Sequence, residues 1–203
     1  MWSDEILVWW GVTMVDGMAS SARRPDGTSR AAYSVTARTL HWITAALVLI
    51  MLPLGLVIAN RWGGSWQDWL YNLHRSIGAV VLIIILVRLG YRLTHQPLPL
   101  SDEVPQAQRR AATAVHWTLY TLLLVQPLVG WAGSSAYPAP VIVFGLFELP
   151  MIAPANRALS DQLLFVHRSI ALAIACLVAI HIAAAIYHHF VRRDGVLMRM
   201  VTG

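Results

Sequence analysis

Four stretches of this chain are each long and apolar enough to cross a lipid bilayer, and this limits the fold more than any other feature. A spanning helix needs about 20 mostly apolar residues to cover roughly 30 Å of hydrocarbon. Residues 39–59, 70–93, 112–133 and 163–190 meet that requirement. Composition agrees, because only 12% of the 203 residues are charged and 57% are hydrophobic, against about a quarter charged in soluble domains. The fold class expected is an all-α membrane protein, a bundle of four transmembrane helices. The net charge of +5 comes from 15 basic residues, all of them Arg. A nucleic-acid-binding domain would cluster such residues without being this apolar, so nucleic acid is excluded as a partner. The partners expected first are membrane lipids.

The Arg residues set the orientation. Arg23, Arg24, Arg30 and Arg38 precede the first span, Arg88, Arg92, Arg109 and Arg110 flank the second connection, and Arg192, Arg193 and Arg199 follow the fourth span. The opposite side holds only Arg61, Arg75, Arg157 and Arg168. By the positive-inside rule both termini are expected in the cytoplasm, in a multi-pass membrane protein. Connections are short except for residues 134–162, where Pro138, Pro140, Pro150 and Pro154 suggest a surface loop with room for a short interfacial helix. The nine Trp mostly suit interfacial belts. Residues 1–33 read as an extension and residues 34–203 as the transmembrane domain. Within the extension, Ile6 to Val15 is apolar but too short to span, and Asp4 and Glu5 stand where a secretory signal would be basic. An interfacial helix and a start assigned too early, ahead of Met14 or Met18, are equal readings of it.

The two halves repeat each other. The first span opens His41-Trp42 and reaches Leu52-Pro53-Leu54-Gly55; the third opens His116-Trp117 and reaches Gln126-Pro127-Leu128-Val129-Gly130. The second begins Leu73-His74-Arg75-Ser76-Ile77, and the fourth Val166-His167-Arg168-Ser169-Ile170. A duplicated helical hairpin is expected, with Pro53 and Pro127 at corresponding kinks.

Five histidines, His41, His74, His116, His167 and His181, lie inside the spans ahead of the His188-His189 pair that ends the fourth. Polar side chains are costly there and usually functional; a lone one would read as a helix-packing residue. Helix direction places His41, His116 and His181 near the cytoplasmic surface, and His74 and His167 near the periplasmic one. His167 and His181 are 14 residues apart, about 21 Å along a helix and only about 40° apart around it. One helix therefore offers two imidazoles on one face, with His74 at the depth of His167 and His41 at that of His181. A haem iron takes an imidazole from each side, so two stacked bis-histidine b-type haems satisfy the pattern. A metal transporter would call for carboxylates, and no Asp or Glu lies deep in these spans. With Cys176 as the one cysteine and no Cys-x-x-Cys-His, disulfides, thiolate clusters and covalent c-type haem are excluded. Cys176 itself reads as a packing residue.

Other residues take supporting roles. The position fourteen past His74 is Arg88, which cannot ligate iron. His116 competes with His41 on depth; left unliganded, it suits a hydrogen bond to a haem propionate or a quinone carbonyl. Arg75 and Arg168 suit propionate counter-ions, or else snorkel to the interface. His188 and His189 suit a proton entrance, or else a basic rim. His95 is assigned nothing.

From about Tyr33 to Met200 the chain resembles the bacterial four-helix dihaem cytochrome b561 family. The likeness rests on Leu40-His41-Trp42, on His74, and on His116 leading into Tyr120 to Gly130. It continues through Val143-Phe144-Gly145-Leu146-Phe147-Glu148-Leu149-Pro150 and through His167, His181, His188-His189-Phe190 and Leu197-Met198-Arg199-Met200. The resemblance implies His41 with His181 and His74 with His167 as axial pairs, and leaves His116 free. It also implies superoxide:quinone oxidoreductase activity, with superoxide donating at the periplasmic face and ubiquinone accepting from the quinone pool. Arg75, Arg157 and Arg168 suit attraction of the anion, and His116, His188 and His189 suit a proton supply. The nearest alternative is a haem-bearing, quinone-reactive membrane anchor for a dehydrogenase or hydrogenase, with a protein as redox partner. A non-haem, His-lined cation transporter is a more distant one.

Overall fold

The computed structural model describes residues 22–23, 29–30, 33–95 and 104–202. The apolar run Ile6 to Val15 lies outside the described residues. Ahead of the bundle, β1 (Ala22–Arg23) pairs antiparallel with β2 (Ser29–Arg30). Four long helices follow: α1 (Val35–Ala59), α2 (Gln67–Thr94), α3 (Gln106–Ala136) and α4 (Arg157–Tyr187). All four are long and apolar enough to cross a membrane. Leu49, Ile50, Ile83, Leu86, Leu172 and Ile180 are exposed, as residues with lipid for a solvent should be.

Helices α1 and α2 form one tight antiparallel pair and α3 and α4 another, joined through α2 and α3. Helices α1 and α4 lie farther apart. We call the end where α1 and α3 begin proximal and the other distal. Ser34 caps α1, its hydroxyl accepting from the Ala37 N–H at 3.2 Å, and its 2.6 Å bond to the Tyr91 hydroxyl ties the proximal ends of α1 and α2. Asn156 caps α4 through the Leu159 N–H at 3.0 Å. At the distal end the buried Ser160 hydroxyl donates to the Gly133 carbonyl at 2.9 Å, joining α3 to α4. Pro53 and Pro127 lie inside α1 and α3, each of which continues past its proline.

The connection between α3 and α4 departs from expectation. Where a loop or interfacial helix was expected, a β-hairpin stands: β3 (Val141–Val143) pairs antiparallel with β4 (Phe147–Leu149). The physical reason is local. Val141-Ile142-Val143 is a β-branched run, and its alternation puts Val141 and Val143 inward against α2 and Ile142 outward. The turn uses positive φ at Phe144 (49°) and Gly145 (75°). Ser76 of α2 anchors the hairpin: its hydroxyl proton lies between the carbonyls of Asn72 (2.8 Å) and Ile142 (3.2 Å), and its oxygen accepts from the Phe144 N–H at 2.9 Å.

After α4 a π-helical turn covers His188–Arg192, and Arg193 adopts a left-handed φ of 54°. The chain then turns back, and α5 (Met198–Val201) lies on the start of α1. The Tyr33 N–H donates to the Arg199 carbonyl (3.2 Å), Trp42 Nε1 to the Met200 carbonyl (3.1 Å) and Arg38 Nη2 to the Val201 carbonyl (2.6 Å).

Candidate functional site

The distal pair is His74 of α2 and His167 of α4, with ring centroids 6.1 Å apart and planes at 76°. The His167 ring is held by Gln126 of α3, whose backbone carbonyl lies 3.0 Å from Nδ1. A proton on Nδ1 leaves Nε2 as the lone-pair nitrogen, the arrangement a metal-ligating imidazole needs. The Gln126 side chain also donates to the His167 carbonyl at 3.0 Å. Two glycines make room for the rings. A Cβ on Gly130 would stand 2.8 Å from His167 Cε1, and one on Gly55 3.3 Å from His74 Cε1. His74 Nδ1 is buried without a hydrogen-bond partner.

At the proximal end, the His41 centroid lies 6.3 Å from that of His181, and the His116 centroid 5.5 Å from it. Depth alone left His41 and His116 open, and the structure brings both to His181. Arg88 of α2 donates from Nη2 to His41 Nδ1 at 2.8 Å, and its guanidinium lies 5.2 Å from the Tyr120 ring centroid.

These separations can be tested against a metal between two imidazoles. With about 2.0 Å from metal to nitrogen and about 1.1 Å from nitrogen to ring centre, two trans rings stand roughly 6.2 Å apart. His74–His167 and His41–His181 meet that span; His116–His181 falls short of it. Among the described residues no group of three or more His, Cys, Asp or Glu gathers to hold a bare ion. Pairs of imidazoles suit a metal whose other ligands come from a macrocycle.

The family described as prokaryotic cytochrome b561 matches residues 32–203. The chain belongs to that family. It is 32% identical to cytochrome b561 homolog 2 of Escherichia coli K12 over 171 residues, covering 83% of this chain and 90% of the relative. It is 28% identical to a probable superoxide oxidase, CybB, of Yersinia pestis, covering 83% and 95%, and 26% identical to cytochrome b562 of Cereibacter sphaeroides, covering 86% and 98%. Membership implies b-type haem and electron transfer in the membrane, and with four apolar helices it fits a multi-pass protein of the bacterial inner membrane.

Other sequence-derived candidates of this cytochrome fall into two groups. At the distal end Arg168 is exposed, whereas Arg75 is half-buried, reaching the Pro140 carbonyl at 3.5 Å and lying 5.6 Å from the Tyr71 centroid. At the proximal end His188 is no solvated rim residue: its Nδ1 meets Asp194 Oδ2 at 2.5 Å, beside Arg192 Nε at 3.4 Å from the same oxygen. Burial pushes the Asp194 carboxyl up, but bonds from His188, the Val196 N–H and Arg192 outweigh it and hold the group below its usual 3.8. His189 turns to the edge of Phe190, with centroids 4.7 Å apart. Sequence reasoning missed Gln126, Asp194 and the two glycines as parts of the site. One signal was present: Gly55 and Gly130 each follow a His-Trp histidine by 14 residues.

Proposed function

We propose that this cytochrome carries two haems b and oxidises superoxide at the periplasmic face while reducing ubiquinone, with the distal end periplasmic and the proximal end cytoplasmic. The observation that carries the reading is the pair of imidazole couples, each at a metal-spanning separation and at opposite ends of one bundle. His74 and His167 would hold the distal haem, His41 and His181 the proximal one. When bound, the haems supply a reversible one-electron iron couple at each end. The balance is two superoxide anions and two protons with one ubiquinone, giving two dioxygen molecules and one ubiquinol. The likeness to the probable superoxide oxidase of Yersinia pestis supports the choice of donor.

The chain's own residues do the rest. Arg168, exposed, and Arg75 and Arg157 at the same end favour approach of an anion. At the other end His116 lies nearer to His181 than an iron shared between the two rings would allow, which leaves it to donate to a quinone carbonyl. His188 follows His181 by seven residues, about 10 Å along the helix axis, and its contact with Asp194 orients the ring to receive a proton from the cytoplasm and pass it inward. His189, beside it, adds a second titratable imidazole at the surface.

Pulsed superoxide with purified protein, followed by haem absorbance at several salt concentrations, tests the reading. Reduction should be fast, should slow as salt rises within a Debye length of about 8 Å at physiological ionic strength, and should slow further in Arg75→Gln and Arg168→Gln variants that retain haem. Absence of reduction by superoxide, alongside fast reduction by quinol or by a dehydrogenase, would replace this function with that of a membrane anchor subunit.

A further inference from the structure

Arg88 sits where the duplicated plan would place a second histidine, fourteen residues after His74. It is half-buried in the proximal half of a membrane helix, where an uncompensated cation is expensive. The acidic residues of the described chain are Asp68, Glu148, Asp161 and Asp194. The first three lie at the distal end, and the fourth is taken by His188 and Arg192. No carboxylate among the described residues neutralises Arg88. One turn further along the same helix face, Arg92 has a buried Nη1 with no hydrogen-bond partner.

The contact that Arg88 does make sharpens the problem. A guanidinium can only donate, so its bond to His41 Nδ1 requires that nitrogen to be the acceptor. An imidazole that ligates through Nε2 carries its proton on Nδ1 and donates from it. The Arg88–His41 bond and ligation through His41 Nε2 are therefore mutually exclusive. A ligand that recruits His41 releases donors of Arg88, and the site then holds a guanidinium with only the Tyr120 side chain as partner and a second with an orphaned N–H. Two such groups a turn apart match the need of carboxylates for paired, charge-assisted bonds.

We propose that Arg88 and Arg92 form the carboxylate-binding site of the proximal haem, receiving its propionates, and that Arg88 holds the reduction potential of that haem up. This rests on the dihaem reading. A positive charge beside the propionates and near the iron disfavours the ferric state, so removing it favours oxidation.

The test is a redox titration of the full-length protein in lipid nanodiscs, with haem per chain measured on the same samples and the proximal couple assigned by its loss in His41→Ala. In Arg88→Gln the proximal equilibrium should move at least tenfold toward the oxidised form, about 59 mV for one electron, with the distal couple unmoved. Arg88→Lys should shift it less, and Arg92→Gln should shift it in the same direction. If Arg88→Gln does not assemble, Arg92→Gln decides on the same criterion. Two haems in the wild type with both couples unmoved in the variants overturns the proposal. So does an unmoved couple accompanied by loss of co-purified anionic lipid, which would give these cations to a lipid phosphate. One haem in the wild type overturns the dihaem reading instead.

Discussion

On the proposed two-haem reading, Gly130→Ala should empty the distal site while leaving the bundle folded. The added Cβ would stand 2.8 Å from His167 Cε1 and 3.0 Å from Nδ1, where ordinary carbon contacts are about 3.5–4.0 Å. The ring must therefore retreat by roughly 0.7 Å or more. The bond that orients it, Nδ1 to the Gln126 carbonyl at 3.0 Å, would be stretched toward or beyond the hydrogen-bonding limit. Loss of such an outer-shell bond typically costs about 10–100-fold in metal affinity. Crowding the α3–α4 seam costs about 1–3 kcal/mol, but Ala is favoured over Gly in a helix by about 1 kcal/mol, so net destabilisation is modest. Gly55→Ala is the internal control, because its Cβ would be 3.3 Å from His74 Cε1 and a few tenths of an ångström of movement relieves it. The assay is haem per chain after exposure to an excess of a haem-scavenging protein, with helix content followed in parallel. Gly130→Ala should fall toward one haem while Gly55→Ala stays near two. Equal retention in both variants, or greater loss in Gly55→Ala, would refute the reasoning from these distances.

Two further outcomes follow from the proximal end. His41→Ala should lose one haem, whereas His116→Ala, whose ring is too near His181 to share an iron with it, should keep both and slow quinone reduction; the opposite pattern in haem content would exchange their roles. Asp194→Asn should loosen residues 195–202, because the carboxylate accepts from the Val196 N–H at 3.2 Å and pairs with His188. Since the folded carboxyl titrates below its usual 3.8, its contribution is complete at neutral pH and fades only as pH falls through that depressed value. Hydrogen exchange of the tail should thus rise at pH 7 in the variant and only on strong acidification in the wild type; tail exchange identical in the two proteins at pH 7 would dismiss the anchor.

What could be read in the sequence, and what could not, follows from the kind of signal each feature leaves. Hydropathy found the four spans because lipid imposes an apolar run of fixed length. It placed the start of α3 at residue 112 rather than Gln106 because Gln106 to Arg110 is polar, and a helix that continues into the headgroup region carries no hydropathy mark. The β3–β4 hairpin was hidden by its flanking prolines, although Val141-Ile142-Val143 alternates correctly for a strand against α2. Depth and helical phase sufficed to propose His74 with His167. They could not separate His41 from His116, which lie at one level and differ only in distance to His181. Gln126 acts on His167 through its backbone carbonyl, which every residue type has, so its identity gave nothing away.

The duplication explains why the two ends differ. In both His-Trp helices the residue fourteen past the histidine is glycine, Gly55 and Gly130, and each faces the histidine of the next helix in the chain. The distal end therefore keeps the symmetry of the repeat: two histidines, two glycines, one pair. In the two His-Arg-Ser-Ile helices the residue fourteen past the histidine is Arg88 in one and His181 in the other. Had both been histidine, the proximal end would hold four imidazoles with His41 and His116, one more potential ligand than His181 already has to choose between. Arginine removes that ambiguity, since it cannot ligate, and it brings a fixed positive charge to the same depth. A repeat that stays symmetric at one end and breaks at the other thus yields two imidazole pairs in unequal fields, and unequal fields are what give direction to electron movement between otherwise similar sites.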